Sequence, residues 1–268
     1  MILISIRYKI IFSYDGTNFC GFQVQPNQRT VQGEITKVVN QIAKNPSKPI
    51  KICGSGRTDS GVHALAQVAH FDFPFKIASN HMFKALNSML PLDIVVKKVN
   101  IVSKDFHARF DVSGKRYMYR IDLGQFRDPF KRFYTGHWRG KLDLNKIQVA
   151  LNDLIGTHDF TSFVASGSEA RSNIRTIYEA TYHLDSSNNE LRFEFYGNGF
   201  LYNMVRIIVG VLVEIGSGYR DVHDILRLYR IKDRTQARRT ASPQGLYLKH
   251  VYYEYEDPKH PTKSSYKI

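Results

Sequence analysis

The stretch Pro49 to Phe73, PIKICGSGRTDSGVHALAQVAHFDF, reads as two strands joined by a glycine-rich loop. Residues 49–53 form one strand and residues 65–73 the other, with Gly54-Ser55-Gly56-Arg57-Thr58-Asp59-Ser60-Gly61 between them. Upstream, Thr30 stands as an N-cap before Val31, Ile35, Val38, Val39 and Ile42, which recur at helical spacing. Further back, residues 6–14, IRYKIIFSY, predict a strand that stops at the turn signal Asp15-Gly16-Thr17-Asn18. Downstream, Ser79 or Asn80 opens a second helix with Met82, Leu86 and Met89 inward, and Pro91 ends it. Residues 93–101, DIVVKKVNI, give a fourth strand. The first hundred residues therefore predict β-α-β-β-α-β, the split βαβ arrangement.

The remainder starts in the same way. Residues 114–123, GKRYMYRIDL, alternate as a strand does, and Asp143 caps a helix carrying Ile147, Ala150, Leu151 and Leu154 that Gly156 stops. Strands at 174–184 and 190–196 precede a helix over 200–215 that is apolar nearly all round, so it is expected deep in a core with Arg206 in its middle. A shorter helix at about 221–230 and a strand over 245–255 follow. The expected fold is thus α+β: two ferredoxin-like subdomains with antiparallel sheets, meeting at a central cleft. Their expected limits are 1–105 and 106–256, with no flexible linker, and a polar tail covers 257–268.

The chain of 268 residues is 43% hydrophobic, enough for one large core or two smaller ones. No apolar run reaches the ~20 residues that span a bilayer. The opening MILISIRYKIIF has no basic segment before it and no small-residue cleavage site after it, so it reads as the approach to a strand. Cys20 and Cys53 form neither a C-x-x-C pair nor a metal-ligand spacing, and two reduced thiols suit a cytoplasmic protein. The formal charge of +14 favours a polyanionic partner. Cations interleave with aromatics in Lys115-Arg116-Tyr117-Met118-Tyr119-Arg120 and again in Lys131-Arg132-Phe133-Tyr134, a pattern that stacks on unpaired bases.

The glycine-rich loop admits three readings. A phosphate cradle lacks the G-x-x-x-x-G-K-[ST] pattern. A plain surface turn would need no chemistry. The third makes Asp59 a nucleophile or anionic catalyst: it is a lone carboxylate with Arg57 two residues away, and a cationic neighbour keeps a carboxylate charged. The histidines His63, His70, His107 and His158 are scattered in sequence, with no H-E-x-x-H and no Cys/His cluster, which argues against zinc. His63 reads as a loop or core histidine bonded to backbone, or as a polar contact beside Asp59. Ser and Cys nucleophiles lack an elbow motif or a base, and Asp15 reads as the residue of an Asx turn.

Gly56-Arg57-Thr58-Asp59-Ser60-Gly61-Val62-His63-Ala64 closely resembles the active-site motif of the bacterial tRNA pseudouridine synthase A family. Five further segments agree in order: Tyr14 to Thr17 with Phe19 to Gln25, Asp105 to Phe110, Lys115 to Tyr119, Asn198 to Arg206, and Gly245 to Leu248. The resemblance covers roughly residues 7–255. It implies that Asp59 is essential to isomerisation, that Tyr117 packs on the target base, and that Arg206 lies beside the aspartate. A buried arginine needs such a partner. Arg57 joins the substrate-binding set, and Lys115, Arg116 and Arg109 are expected to meet RNA. The resemblance further implies a homodimer, tRNA as partner, uridine at tRNA positions 38 to 40 as substrate, and neither metal nor organic cofactor, because the isomerisation changes no redox state and loses no group. Asp59 would act at C1′, at the pyrimidine ring, or on a sugar proton; the residues leave these three open. Phe22 departs from the family, which has tryptophan there, so an apolar ring is kept and an N–H donor lost. Two rivals stand beside this reading: a tRNA-holding protein of the same fold without activity, and a metal-dependent nuclease, which would need more carboxylates than the Asp59 segment offers.

Overall fold

The computed structural model describes residues 5–254. In chain order its elements are β1 (Ile6–Tyr14), α1 (Val31–Ile42), β2 (Cys53–Gly54), β3 (His63–Phe73), α2 (Ser79–Met89), β4 (Ile94–Val102), β5 (Val112–Asp122), β6 (Gly136–His137), α3 (Leu144–Asn152), β7 (Gly156–Asp159), β8 (Ile174–Asp185), β9 (Glu190–Gly197), α4 (Met204–Gly216), α5 (Asp224–Ile231) and β10 (Leu246–Tyr253). The expected tail at 257–268 lies outside the described residues. Among those residues no helix is long and apolar enough to cross a membrane.

Two compact units emerge. One comprises residues 5–113 and 248–254, the other Gly114–Tyr247. These limits differ from 105/106. Residues 106–113 and the end of β10 join the first unit because they bond to it and to each other: Ala108 N donates to His70 Nδ1 at 3.1 Å, and the Tyr253 hydroxyl donates to Ala108 O at 2.8 Å.

The first unit is the expected split βαβ. Its strand order is β4-β1-β3 with β10 beyond, β2 pairs with β3, and the β1–β3, β1–β4 and β2–β3 pairings are antiparallel. Tyr8, Ile10, Phe12 and Tyr14 alternate into the core from β1, as a period of two requires. Val31, Ile35, Val38 and Val39 of α1 and Met82 and Leu86 of α2 are buried. Thr30 accepts from Gly33 N, the cap its position predicts. Pro91 does end α2, since Leu90 before it is extended at φ −70°, ψ 149°. Ser79 opens α2 as expected, and the N-cap before it, Ala78, makes no side-chain cap bond. The strand expected over 49–53 shrinks to two residues. Side chains of α1 take its backbone groups instead: Asn40 bonds both N and O of Ile50, and Gln32 bonds Ile52 O.

In the second unit β5, β9, β8 and β7 lie side by side and antiparallel, with β6 parallel to β5. Asp143 caps α3 by accepting from Asn145 N and Lys146 N. Eleven of the thirteen residues of α4 are buried, as its apolar surface demands. It begins later than expected because Asn203 is left-handed at φ 59°. Arg206 is therefore in its first turn, not its middle.

Candidate active site

Asp59 sits in the loop between β2 and β3, half-buried, with Arg57 exposed beside it. What holds this loop is a buried polar frame. Gln67, fully buried on β3, accepts from Ser55 Oγ at 2.6 Å and donates to Gly56 O at 3.1 Å. Ser55 N donates to Val68 O at 2.8 Å. On the far side of the loop, Thr58 Oγ1 pairs with the Tyr14 hydroxyl at 2.8 Å. Burial pushes the Tyr14 phenol up to about 12, against hydrogen bonds with Thr58 and Gln67, and the Asp59 charge adds to the rise. The phenol thus stays protonated at neutral pH, within the field of the carboxylate.

The loop between β1 and α1 closes over this frame. Phe22 N donates to Thr58 O at 3.1 Å, Gly61 N to Phe19 O at 3.3 Å, and a turn joins Val62 N to Asp59 O at 3.1 Å. Gly21 has φ +91°, and a Cβ there would stand 2.8 Å from Thr58 O, so only glycine lets the two loops approach. Phe22 is buried. His63 Nδ1 accepts from Gly16 N at 3.0 Å, the backbone-bonded role weighed above, and Asp15 makes its Asx turn by accepting from Thr17 N at 3.0 Å. The residues of the frame carry one sequence signal: Gln67 is a polar residue inside the apolar run of β3.

In the second unit Tyr117 is buried on β5, its ring edge-on to Phe200 at 5.1 Å. Lys115 shares its face by strand alternation, and Arg116 takes the opposite one. There Arg116 meets Glu179 at 2.7 Å and Glu194 at 3.6 Å, ion pairs that tie its guanidinium to β8 and β9. Arg206 Nε donates to Ala241 O at 2.8 Å and Nη1 to Asn203 Oδ1 at 2.5 Å, which fixes its stem in the first turn of α4. Arg109, in the first unit, is exposed.

The histidines are less scattered in space than in sequence. Cys53, His70 and His107 bring three possible ligand atoms within 4.8 Å of one another. Their bonding does not suit a divalent cation. His70 Nδ1 accepts from Ala108 N, and His107 Nδ1 from Arg109 N and Phe110 N, so each neutral ring keeps its proton on Nε2. For His107 that is the atom facing Cys53 Sγ at 3.7 Å. Burial raises the Cys53 thiol pKa, opposed by the positive fields of Arg109 and Arg7, which would also repel a metal ion.

The model of the family described as tRNA pseudouridine synthase matches residues 10–111 and 150–254. Asp59 and Arg206 lie within the matched residues and Tyr117 between them. The tRNA pseudouridine synthase A of Levilactobacillus brevis is 67% identical over 257 residues, 96% of this chain and 97% of its own. Those of Ligilactobacillus salivarius and Latilactobacillus sakei are 59% and 57% identical over 94% and 92% of this chain and 98% and 99% of theirs. By both measures, this chain belongs to the tRNA pseudouridine synthase family.

Proposed function

We propose that this chain isomerises uridine to pseudouridine in tRNA, with Asp59 as its catalytic carboxylate and without metal or organic cofactor. The observation that carries the reading is the GRTD loop itself: an aspartate backed by the buried Ser55–Gln67 and Tyr14–Thr58 bonds, in a chain of this family. A charged side chain held by a rigid support is preorganised for the reacting group.

The chemistry asks for little else. The target base leaves its stack at a cost of a few kcal/mol. Tyr117 stacks on it, a contact worth roughly 1–3 kcal/mol, and Arg57 and Arg206 hold the substrate. The C1′–N1 bond breaks, uracil turns while still bound, C1′–C5 forms, and the C5 hydrogen leaves to water as N1 gains a proton. Lys115 and Arg109 meet backbone phosphates. Uridines 38 to 40 of the anticodon arm are the targets, the protein works as a homodimer, and it acts in the cytoplasm. These last assignments follow from the resemblance of its motifs to the family.

Tritium release from [5-³H]uridine-labelled tRNA tests the core of this. Wild-type protein releases tritium; Asp59→Asn, folded and still binding tRNA, falls to the no-enzyme level. Full release by Asp59→Asn removes the carboxylate from the mechanism. Mapping of pseudouridine in the product tests positions 38 to 40, and sedimentation equilibrium tests the dimer.

A further inference from the structure

The second unit holds a cavity of about 200 Å³ between β5, β6, α4 and the segment 239–242. None of the roles assigned above uses it. Its lining includes Arg127, His137, Trp138, Arg239 and the Tyr119 side chain, and no carboxylate. Among the described residues neither Arg127 nor Arg239 has an acidic partner, and Arg239 lies instead against an aromatic ring. The Trp138 indole Nε1 is buried and lacks a hydrogen-bond partner. Buried donors are normally satisfied, so an orphaned one beside a cavity calls for an acceptor.

The backbone is shaped to make this space. Gly210 of α4 has no side chain to keep the 239–242 segment away; a Cβ there would lie 2.4 Å from Arg239 O. Just before it Arg238 is held at φ 50°, ψ −92°, a conformation that side-chained residues rarely adopt. Arg239 then lies over the Trp138 ring at 4.9 Å. Burial raises the Tyr119 phenol pKa, against its bond to Ser242 and the converging positive fields of Arg206, Arg239 and Arg127.

Two guanidiniums without an acidic partner among the described residues, around a cavity without acids and next to a buried indole N–H that lacks a hydrogen bond, describe a receptor for an oxyanion. Size narrows the choice. Small-molecule pockets start near about 300 Å³, so this space suits a single phosphate group and not a whole nucleotide. Arg127 and Trp138 also lie in the interval 112–149 that the family match skips.

We propose that this cavity binds one backbone phosphodiester of the RNA substrate, its oxygens held by Arg127, Arg239 and Trp138 Nε1. The choice of RNA over free phosphate rests on the tRNA reading above. Trp138 is the single tryptophan of the chain, so its emission reports the site directly. The experiment titrates the wild-type protein, and the Asp59→Asn protein alone and combined with Arg127→Gln, Arg239→Gln or Arg127→Lys, with unmodified tRNA and separately with inorganic phosphate. Chloride at equal ionic strength is the control, and tRNA affinity is measured across a salt series. Both ligands should change Trp138 emission saturably, with phosphate competing against tRNA. Each Gln variant should lose the phosphate response and lower the magnitude of the log K against log [salt] slope by about 0.7–0.9, and Arg127→Lys should retain the slope. Unchanged slopes in both Gln variants with tRNA still bound sink the site alone. An emission response to phosphate but not to tRNA overturns its assignment to RNA. Failure of the wild-type protein to bind tRNA at all sinks the functional reading along with it.

Discussion

Replacing Gln67 by Leu tests whether the buried frame supports the Asp59 loop. The two side chains are similar in size, so the change removes polarity without opening a cavity. Three contacts go: Ser55 Oγ to Gln67 Oε1 at 2.6 Å, Val68 N to the same oxygen at 3.2 Å, and Gln67 Nε2 to Gly56 O at 3.1 Å. Of the three groups that lose this partner, Val68 N makes the longest contact, and the other two, Ser55 Oγ and Gly56 O, cost roughly 1–3 kcal/mol each. Burying leucine in place of the amide returns about 1.5 kcal/mol. The net loss is then about 2 kcal/mol, which for a chain of this size lowers Tm by about 4–8 °C. Function should suffer more than stability suggests. Gly56 loses the bond that anchors the loop three residues before Asp59, and a misplacement of about 1 Å costs on the order of a hundredfold in rate. Tritium release at a temperature well below the variant's Tm should show kcat reduced at least about tenfold with tRNA affinity unchanged. A variant that melts within about 1 °C of wild type and turns over at the same rate refutes the reasoning, because the frame would then carry neither load.

Two further changes probe other parts of the molecule. His70 is held at about 4 by burial first, then by the charges of Arg7 and His107, whereas an unfolded histidine titrates near about 6.5. Between those values the unfolded chain takes up a proton that the folded one refuses. Stability is therefore full above about pH 6.5 and declines as pH falls towards 4. Urea melts at pH 7, 5.5 and 4.5 should show that decline, shallower in His70→Gln; identical profiles for the two proteins contradict it. Arg220, with a side chain 5% exposed, meets Glu214 at 2.5 Å and Asp224 at 2.6 Å. Arg220→Met should destabilise the protein by about 3 kcal/mol, since it leaves the largely buried Glu214 without its cation and Gln236 O without its donor, while Asp224 keeps Arg227 at 2.5 Å. A loss below about 1 kcal/mol in chemical denaturation would mean that water already serves those groups.

Much of this was written in local patterns. The β-α-β-β-α-β order of the first unit, the caps Thr30 and Asp143, the stop at Pro91 and the burial of α4 all follow from residues within a few positions of one another. Periodicity and capping are short-range physics, so a sequence displays them directly. Asp59 was likewise visible because its motif is contiguous.

Contacts between distant residues were not visible, for they depend on strand register and on which side chain reaches a backbone group first. The strand expected at 49–53 shortened because Asn40 and Gln32 of α1 compete for its backbone. Arg116, which reads as an RNA contact beside Tyr117, turns to the opposite face and meets Glu179, 63 residues away. Cys53, His70 and His107 look unrelated until β2 pairs with β3 and places Cys53 opposite His70. The bare indole nitrogen of Trp138 and the guanidiniums of Arg127 and Arg239 around one cavity are tertiary facts of the same kind. The chain by itself determined its elements, its charge and its catalytic candidate. Packing alone decided which polar groups are satisfied, because that depends on atoms that only folding brings within about 3 Å.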